Sequence, residues 1–152
     1  MSRYAVQIES CDIEKAKALV YATNYDFDPP LSQSIDIDKM AEKWSKYAKF
    51  LTLHDNYKEL VALVVFYENK EERFLYIPHF VVRAPFRHKG VGHACIKYLL
   101  ETTKSEGFEM FRLEVLKTNA NAIQFYHKEG FGLKEERENT YLLEKEINMN
   151  IR

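Results

Sequence analysis

The chain has 152 residues, 46% of them hydrophobic and 30% charged, and a net charge of −1. That is enough for one packed domain, expected to span residues 1–152, and it excludes a disordered or low-complexity protein. The near-neutral balance excludes a chain that grips nucleic acid over its whole surface. Cys11 and Cys95 form no CxxC pair and no metal-ligand spacing, and read as two reduced thiols. The N-terminus carries charges where a signal peptide needs an apolar core, and no apolar run approaches the ~18 residues of a membrane span. A soluble cytoplasmic protein is the expectation.

Alternation around Tyr4, Val6 and Ile8 predicts a strand from Arg3 to Glu9. Asp12 then suits the N-cap of a helix with Ile13, Ala16, Leu19 and Val20 on one face. Pro29 and Pro30 forbid helix in the stretch Tyr25 to Ser34, which reads as an ordered loop. Asp36 or Asp38 starts a second helix, with Met40, Trp44 and Tyr47 spaced to face a core. FLTLH, ELVALVVFYE and FLYIPHFVV follow as three strands separated by short turn-like stretches, an antiparallel meander. An amphipathic helix from about Val91 to Ser105, a strand Met110 to Leu116, a helix from about Asn119 to Glu129 and a strand pair within Phe131 to Ile147 complete the chain. The class is α+β, one mixed and mostly antiparallel sheet flanked by helices.

All five glycines lie in the second half, and Gly90 and Gly92 sit where a strand hands over to a helix. Such a pair lets backbone amides approach a phosphate, and the helix start adds a positive dipole end. RHKGVG is neither the dinucleotide fingerprint GxGxxG nor the P-loop GxxxxGK[ST]. A charge count sharpens the signal: no Asp or Glu occurs from Arg73 to Leu100, while Arg73, Arg83, Arg87, Lys89 and Lys97 all fall inside. Positive potential around the glycine turn suits an anionic ligand; a solvated basic helix end would look the same. His88 and His93 are too few for a metal site, so no metal is expected.

FVVRAPFRHKGVG followed by an amphipathic helix resembles the acyl-CoA signature [R/Q]xxGx[G/A] of the GCN5-related N-acetyltransferases, the GNAT family, with Arg87, Gly90 and Gly92 filling it. RLEVLKTNANAIQFYHKEGF resembles that family's second signature through Asn119, Ala122, Tyr126, Gly130 and Phe131. The resemblance runs from about Phe50 to Ile147. It implies the acyl-CoA N-acyltransferase fold and acetyl-CoA as acyl donor. The amides of Arg87, His88, Lys89, Gly90, Val91 and Gly92 would cradle the pyrophosphate, and Phe80, Val81 and Val82 would offer backbone groups to the pantetheine arm. Asn119 would contact the cofactor as well as cap its helix. Tyr126 would donate a proton to the departing CoA thiolate, though packing beside Phe125 is its plain alternative.

Two residues compete to take the proton of the attacking amine. Glu114 matches a glutamate that ribosomal-protein alanine N-acetyltransferases use as general base, and shares a strand face with Arg112 and Leu116. Its bland role is a solvent-facing partner of Arg112 or a cross-strand Lys. His79 lies on the strand leading to the cofactor turn, with an intrinsic pKa suited to the task. Pro78 departs from the family pattern and removes a ladder donor.

The resemblance places the acceptor beside the first two helices and their loop. Tyr25, Asp26 and Phe27 there suit a cationic amine through charge pairing and cation–π contact. PPLSQSIDIDKMAEKWSKYAKF resembles uncharacterised bacterial acetyltransferases associated with surface-sugar synthesis, which brings in an amino sugar. The expected activity is acetyl transfer to a primary amine of a small molecule. A protein or peptide N-terminal acetyltransferase and a non-catalytic acyl-CoA-binding module stand as alternatives. Beyond the acceptor, the partner considered is a second copy of the chain in a homodimer.

Overall fold

The computed structural model describes residues 4–147. In chain order the elements are β1 (Ala5–Ile8), α1 (Ile13–Ala22), α2 (Ile37–Tyr47), β2 (Lys49–His54), β3 (Leu60–Asn69), β4 (Phe74–Val82), α3 (Val91–Lys104), β5 (Met110–Leu116), α4 (Ala120–Lys128), β6 (Gly132–Glu136) and β7 (Thr140–Glu146). The strands form one sheet in the order β1-β2-β3-β4-β5-β7-β6. β1–β2, β2–β3, β5–β7 and β6–β7 are antiparallel, and β4–β5 is parallel. This is the expected single mixed, mostly antiparallel sheet. The parallel pairing covers Phe74–Tyr76 against Met110–Arg112 and stops before Pro78, which has no N–H to give.

The chain forms two compact units: residues 1–66 with 79–95, and residues 67–78 with 96–152. In the first, β2 and β3 read as continuous apolar runs because Leu51, Leu53 and Val61 to Val65 are buried whichever face they take. Asp12 caps α1, its carboxylate accepting from the amides of Glu14 (3.0 Å) and Lys15 (3.4 Å). Asp36 caps α2 by accepting from the Lys39 amide at 3.2 Å, a contact of the kind worth about 1 kcal/mol. α1 and α2 are tied by Tyr21, whose hydroxyl donates to Asp38 at 2.7 Å.

The buried stripe of α2 is Ile37, Ala41 and Trp44; Met40 is half-buried and Tyr47 is exposed. The expected Met40–Trp44–Tyr47 stripe is corrected there. Ile37, Ala41 and Trp44 keep the i, i+4, i+7 spacing of one helix face, and Met40 and Tyr47 flank it. The predicted loop holds two short 3₁₀ turns, Asn24–Asp26 and Leu31–Gln33, clasped where Asn24 donates to the Ser32 hydroxyl (2.8 Å) and accepts its amide (2.9 Å). Arg3, the first residue of the expected opening strand, lies outside the described residues.

In the second unit Phe111, Leu113 and Val115 of β5 point into the core with Leu99, Phe108 and Phe131, leaving Arg112, Glu114 and Leu116 on the opposite face. β7 lies between β5 and β6, so the last two strands insert their second member, not their first, beside β5. Cys11 is half-buried and Cys95 buried, both as free thiols.

Candidate active site

The glycine turn belongs to the first unit. Gly90 has φ +82°, and a Cβ built there meets nothing within 4 Å, so the position needs glycine for its backbone and opens onto free space. His88, also in the left-handed region at φ 61°, bends the chain just before it. α3 makes its first hydrogen bond from the Ala94 amide to the Gly90 carbonyl (3.0 Å), which leaves the Val91 and Gly92 amides ahead of the helical ladder. His88, Lys89 and Gly90 are exposed, and Val91 is buried and anchors the helix start. Approachable amides, a helix N-terminus and no nearby acid in sequence fit a pyrophosphate.

Arg87 points elsewhere. Its Nε donates to the Val82 carbonyl at 2.8 Å and its Nη2 pairs with the Asp26 carboxylate. A residue expected at the cofactor and one expected at the acceptor are thus joined. Val81 is buried and Phe80 and Val82 are half-buried, as befits a strand that presents backbone more than side chain. Of the loop residues, Tyr25 is 81% exposed, while Phe27 packs against the His79 ring with centroids 5.7 Å apart.

His79 sits between Phe27 and the Trp44 ring (5.3 Å) and is 6% exposed. Its Nε2 has no hydrogen-bond partner among the described residues. Burial pulls its pKa down to about 4, so the ring is neutral at physiological pH.

Glu114, in the second unit, has the opposite surroundings. Its Oε1 accepts from the Tyr76 hydroxyl (3.2 Å), and its Oε2 accepts from Thr140 Oγ1 (2.8 Å) and Arg137 Nη1 (2.9 Å). Burial pushes its pKa upward, but these donors and the Arg137 charge outweigh that and hold it below the usual carboxylate value. Tyr76 is pushed up to about 12 by burial and by the Glu114 charge and hydrogen bond. Arg112, the partner considered for Glu114, instead bonds Glu144 at 3.1 Å and stacks over Phe74. A hollow of about 410 Å³ opens beside Tyr76, with Tyr67, Glu68 and Phe74 among its walls.

Asn119 caps α4 by accepting from the Ala122 amide at 3.1 Å. Tyr126 is 8% exposed, edge-on to Phe125 and Phe131 at 5.3 Å each, and burial raises its pKa well above that of a free phenol. A phenol in that setting stays protonated, as a proton donor must. Among the described residues no group of three or more His, Cys, Asp or Glu has the arrangement of a metal site. No helix among them is long and apolar enough to cross a membrane.

The family model of the Acetyltransferase (GNAT) family matches residues 18–131. The chain belongs to the GNAT family. The exposed glycine turn at Gly90 fits a pyrophosphate. A GNAT-family acetyltransferase of Staphylococcus aureus superposes with a TM-score of 0.79 at 14% identity, covering 95% of this chain and all 100% of that one. The PaiA N-acetyltransferase of Thermoplasma acidophilum, solved in complex with coenzyme A, superposes at 0.71 with 16% identity over 93% of this chain and 99% of its own. Zebrafish (Danio rerio) N-alpha-acetyltransferase 50 is 32% identical over 74 residues, 48% of this chain and 44% of that protein. The chain thus spans less than half the length of this curated relative.

Sequence reasoning missed Tyr76, Thr140 and Arg137. Tyr76 was readable, because Tyr76 and Glu114 occupy the same outward face once β4 and β5 are paired in parallel. Arg137 and Thr140 had no local signal, since their position depends on β7 joining β5.

Proposed function

We propose that this acetyltransferase modifies a primary amine of a small molecule by direct attack on the acyl donor, with Glu114 as proton acceptor and Tyr126 as general acid. The observation that carries the reading is the Glu114 carboxylate, kept ionised on an outward sheet face by Tyr76, Thr140 and Arg137. Acetyl-CoA supplies an activated thioester when bound. The amides of His88 to Gly92 would hold its phosphates, while the Arg87 amide, expected among them, donates to the Ala84 carbonyl at 3.2 Å; the backbone of Phe80, Val81 and Val82 would meet the pantetheine arm, and Asn119 would add a contact at the start of α4.

An ionised Glu114 first attracts the acceptor ammonium. With its pKa held low it is a weak base toward a free ammonium, since each pKa unit of mismatch costs about 1.4 kcal/mol. The ammonium loses one proton to solvent before its nitrogen lone pair attacks; once bonded to the acyl carbon that nitrogen is strongly acidic, and Glu114 takes its second proton. Tyr126, protonated in its aromatic surroundings, delivers a proton to the sulfur. His79 supports the role less well, because a neutral ring enclosed by Phe27 and Trp44 offers no charge to attract an ammonium. Asp26 and Phe27 are engaged with Arg87 and His79, so of the three loop residues Tyr25 is the most accessible to an acceptor. The retained pair Glu114 and Tyr126 argues against a module that only binds acyl-CoA.

A second reading, acetylation of a peptide α-amine, draws support from the 32% identity with an N-alpha-acetyltransferase. Thiol release from acetyl-CoA, measured with nucleotide-linked amino sugars, aminoglycosides, polyamines and peptides with free N-termini, separates the two. Turnover with a small amine upholds the first reading, and turnover confined to peptides replaces it. In the same assay Tyr126→Phe should lower kcat by about tenfold with acetyl-CoA affinity kept. Equal kcat would remove Tyr126 from the mechanism.

A further inference from the structure

Resting on the proposed acceptor role of Glu114, we propose that Arg137 sets acceptor specificity: it balances one of two neighbouring carboxylates, so the site takes a single ammonium in preference to a dication. The Arg137 guanidinium donates to Glu114 Oε2 through Nη1 (2.9 Å) and to Glu135 Oε2 through Nε (3.1 Å). Two carboxylates share one cation, which leaves one negative charge for a ligand to meet.

Three neighbouring carboxylates have cations of their own. Lys117 bonds Glu136 at 2.7 Å, Arg112 bonds Glu144 at 3.1 Å with Lys134 4.0 Å from the same carboxylate, and Glu68 faces Lys70 at 4.0 Å. The oxygens of Glu114 also differ. Among the described residues Oε2 has two donors and Oε1 one, the Tyr76 hydroxyl, so a lone pair on Oε1 can receive an ammonium N–H. The turn is fixed in place: the Arg137 amide donates to the Thr140 carbonyl at 2.9 Å, and both residues reach back to Glu114. Arg137 is 41% exposed and the Glu114 side chain 31%, so solutes reach them from water. The ion pair adds little to stability at that exposure, but its charge acts on whatever binds beside it.

The test compares n-butylammonium with 1,4-diaminobutane, two probes of one chain length that differ by a charge. Binding is followed by the NMR shifts of the Thr140 amide and the Arg137 side chain, and turnover by thiol release from acetyl-CoA with the acceptor panel. Wild type should bind the monocation at least as well as the dication. Arg137→Gln should shift that ratio toward the dication by about tenfold, the effect of one charge a few ångströms away in a solvent-screened site. Arg137→Lys should restore the wild-type ratio. An unchanged ratio in Arg137→Gln overturns the proposal. So does turnover of an amine with no probe-induced shift at Thr140 or Arg137, an outcome that leaves the acetyltransferase reading standing. Absence of thiol release with every amine would remove both together.

Discussion

His79 and Glu114 are two candidate bases whose surroundings are opposites. The histidine has an ordinary pKa suited to the task, yet Phe27 and Trp44 enclose it, its Nε2 lacks a partner, and burial drives it neutral. The glutamate has an ordinary pKa far from that of an amine, yet three donors hold it charged where solvent reaches it. Intrinsic pKa favours the histidine; the environment supports the proposal of the glutamate. A residue that must meet a cation needs a persistent opposite charge more than a matched pKa in free solution.

The largest effect that would break this contrast comes from Glu114→Gln. It should lower kcat/KM for the amine by about 100-fold, the scale of a lost general base, with acetyl-CoA affinity unchanged. If neither Glu114→Gln nor His79→Phe alters the acidic limb of the rate profile, water carries the proton.

His79→Phe should have a smaller effect on rate and a distinct one on stability. Between pH 6.5 and about 4 the unfolded histidine is protonated while the folded one is not. The unfolded state therefore binds more protons in that window, and stability falls as the pH is lowered through it, by about 3 kcal/mol in all. Thermal melts across that range should show the slope in wild type and its loss in His79→Phe. A slope that survives the substitution assigns it to other groups. At neutral pH the variant should melt at or above wild type, because a buried unpaired ring nitrogen costs roughly 1–3 kcal/mol.

The smallest effect should come from Asp26→Ala. Arg87 would lose its partner, and Phe27, the next residue in the loop, would press less firmly on His79. A half-exposed ion pair contributes about 1 kcal/mol at most, so the pKa of His79 read by NMR should rise toward its ordinary value by a fraction of a unit. No movement would show that Trp44 and the strand alone keep the ring dry.

Much of the fold was legible in local pattern. Strands β4 and β5 have the predicted bounds, Asp12 caps α1 as expected, and Asn119 caps α4 while the glycine turn opens α3. Each depends on a period of two, a cap or a glycine, all properties of neighbouring residues. The resemblance to the GNAT family rested on two such local signatures, and the family model over residues 18–131 bears it out. The α2 stripe was misplaced because Ile37–Ala41–Trp44 and Met40–Trp44–Tyr47 both have helical spacing, and only tertiary packing selects between adjacent faces.

What the tertiary structure decided is which distant residues meet. The sequence by itself determined that a carboxylate stands on the outward face of β5, because alternation along a strand leaves no other choice. It could not supply Arg137 and Thr140, which reach Glu114 only because β7 lies between β5 and β6. Nor could it show that His79 would be enclosed by a helix and a loop far away in the chain, and so lose its charge. Protonation depends on solvation and on charges within a few ångströms, and those are fixed by the fold rather than by the order of residues.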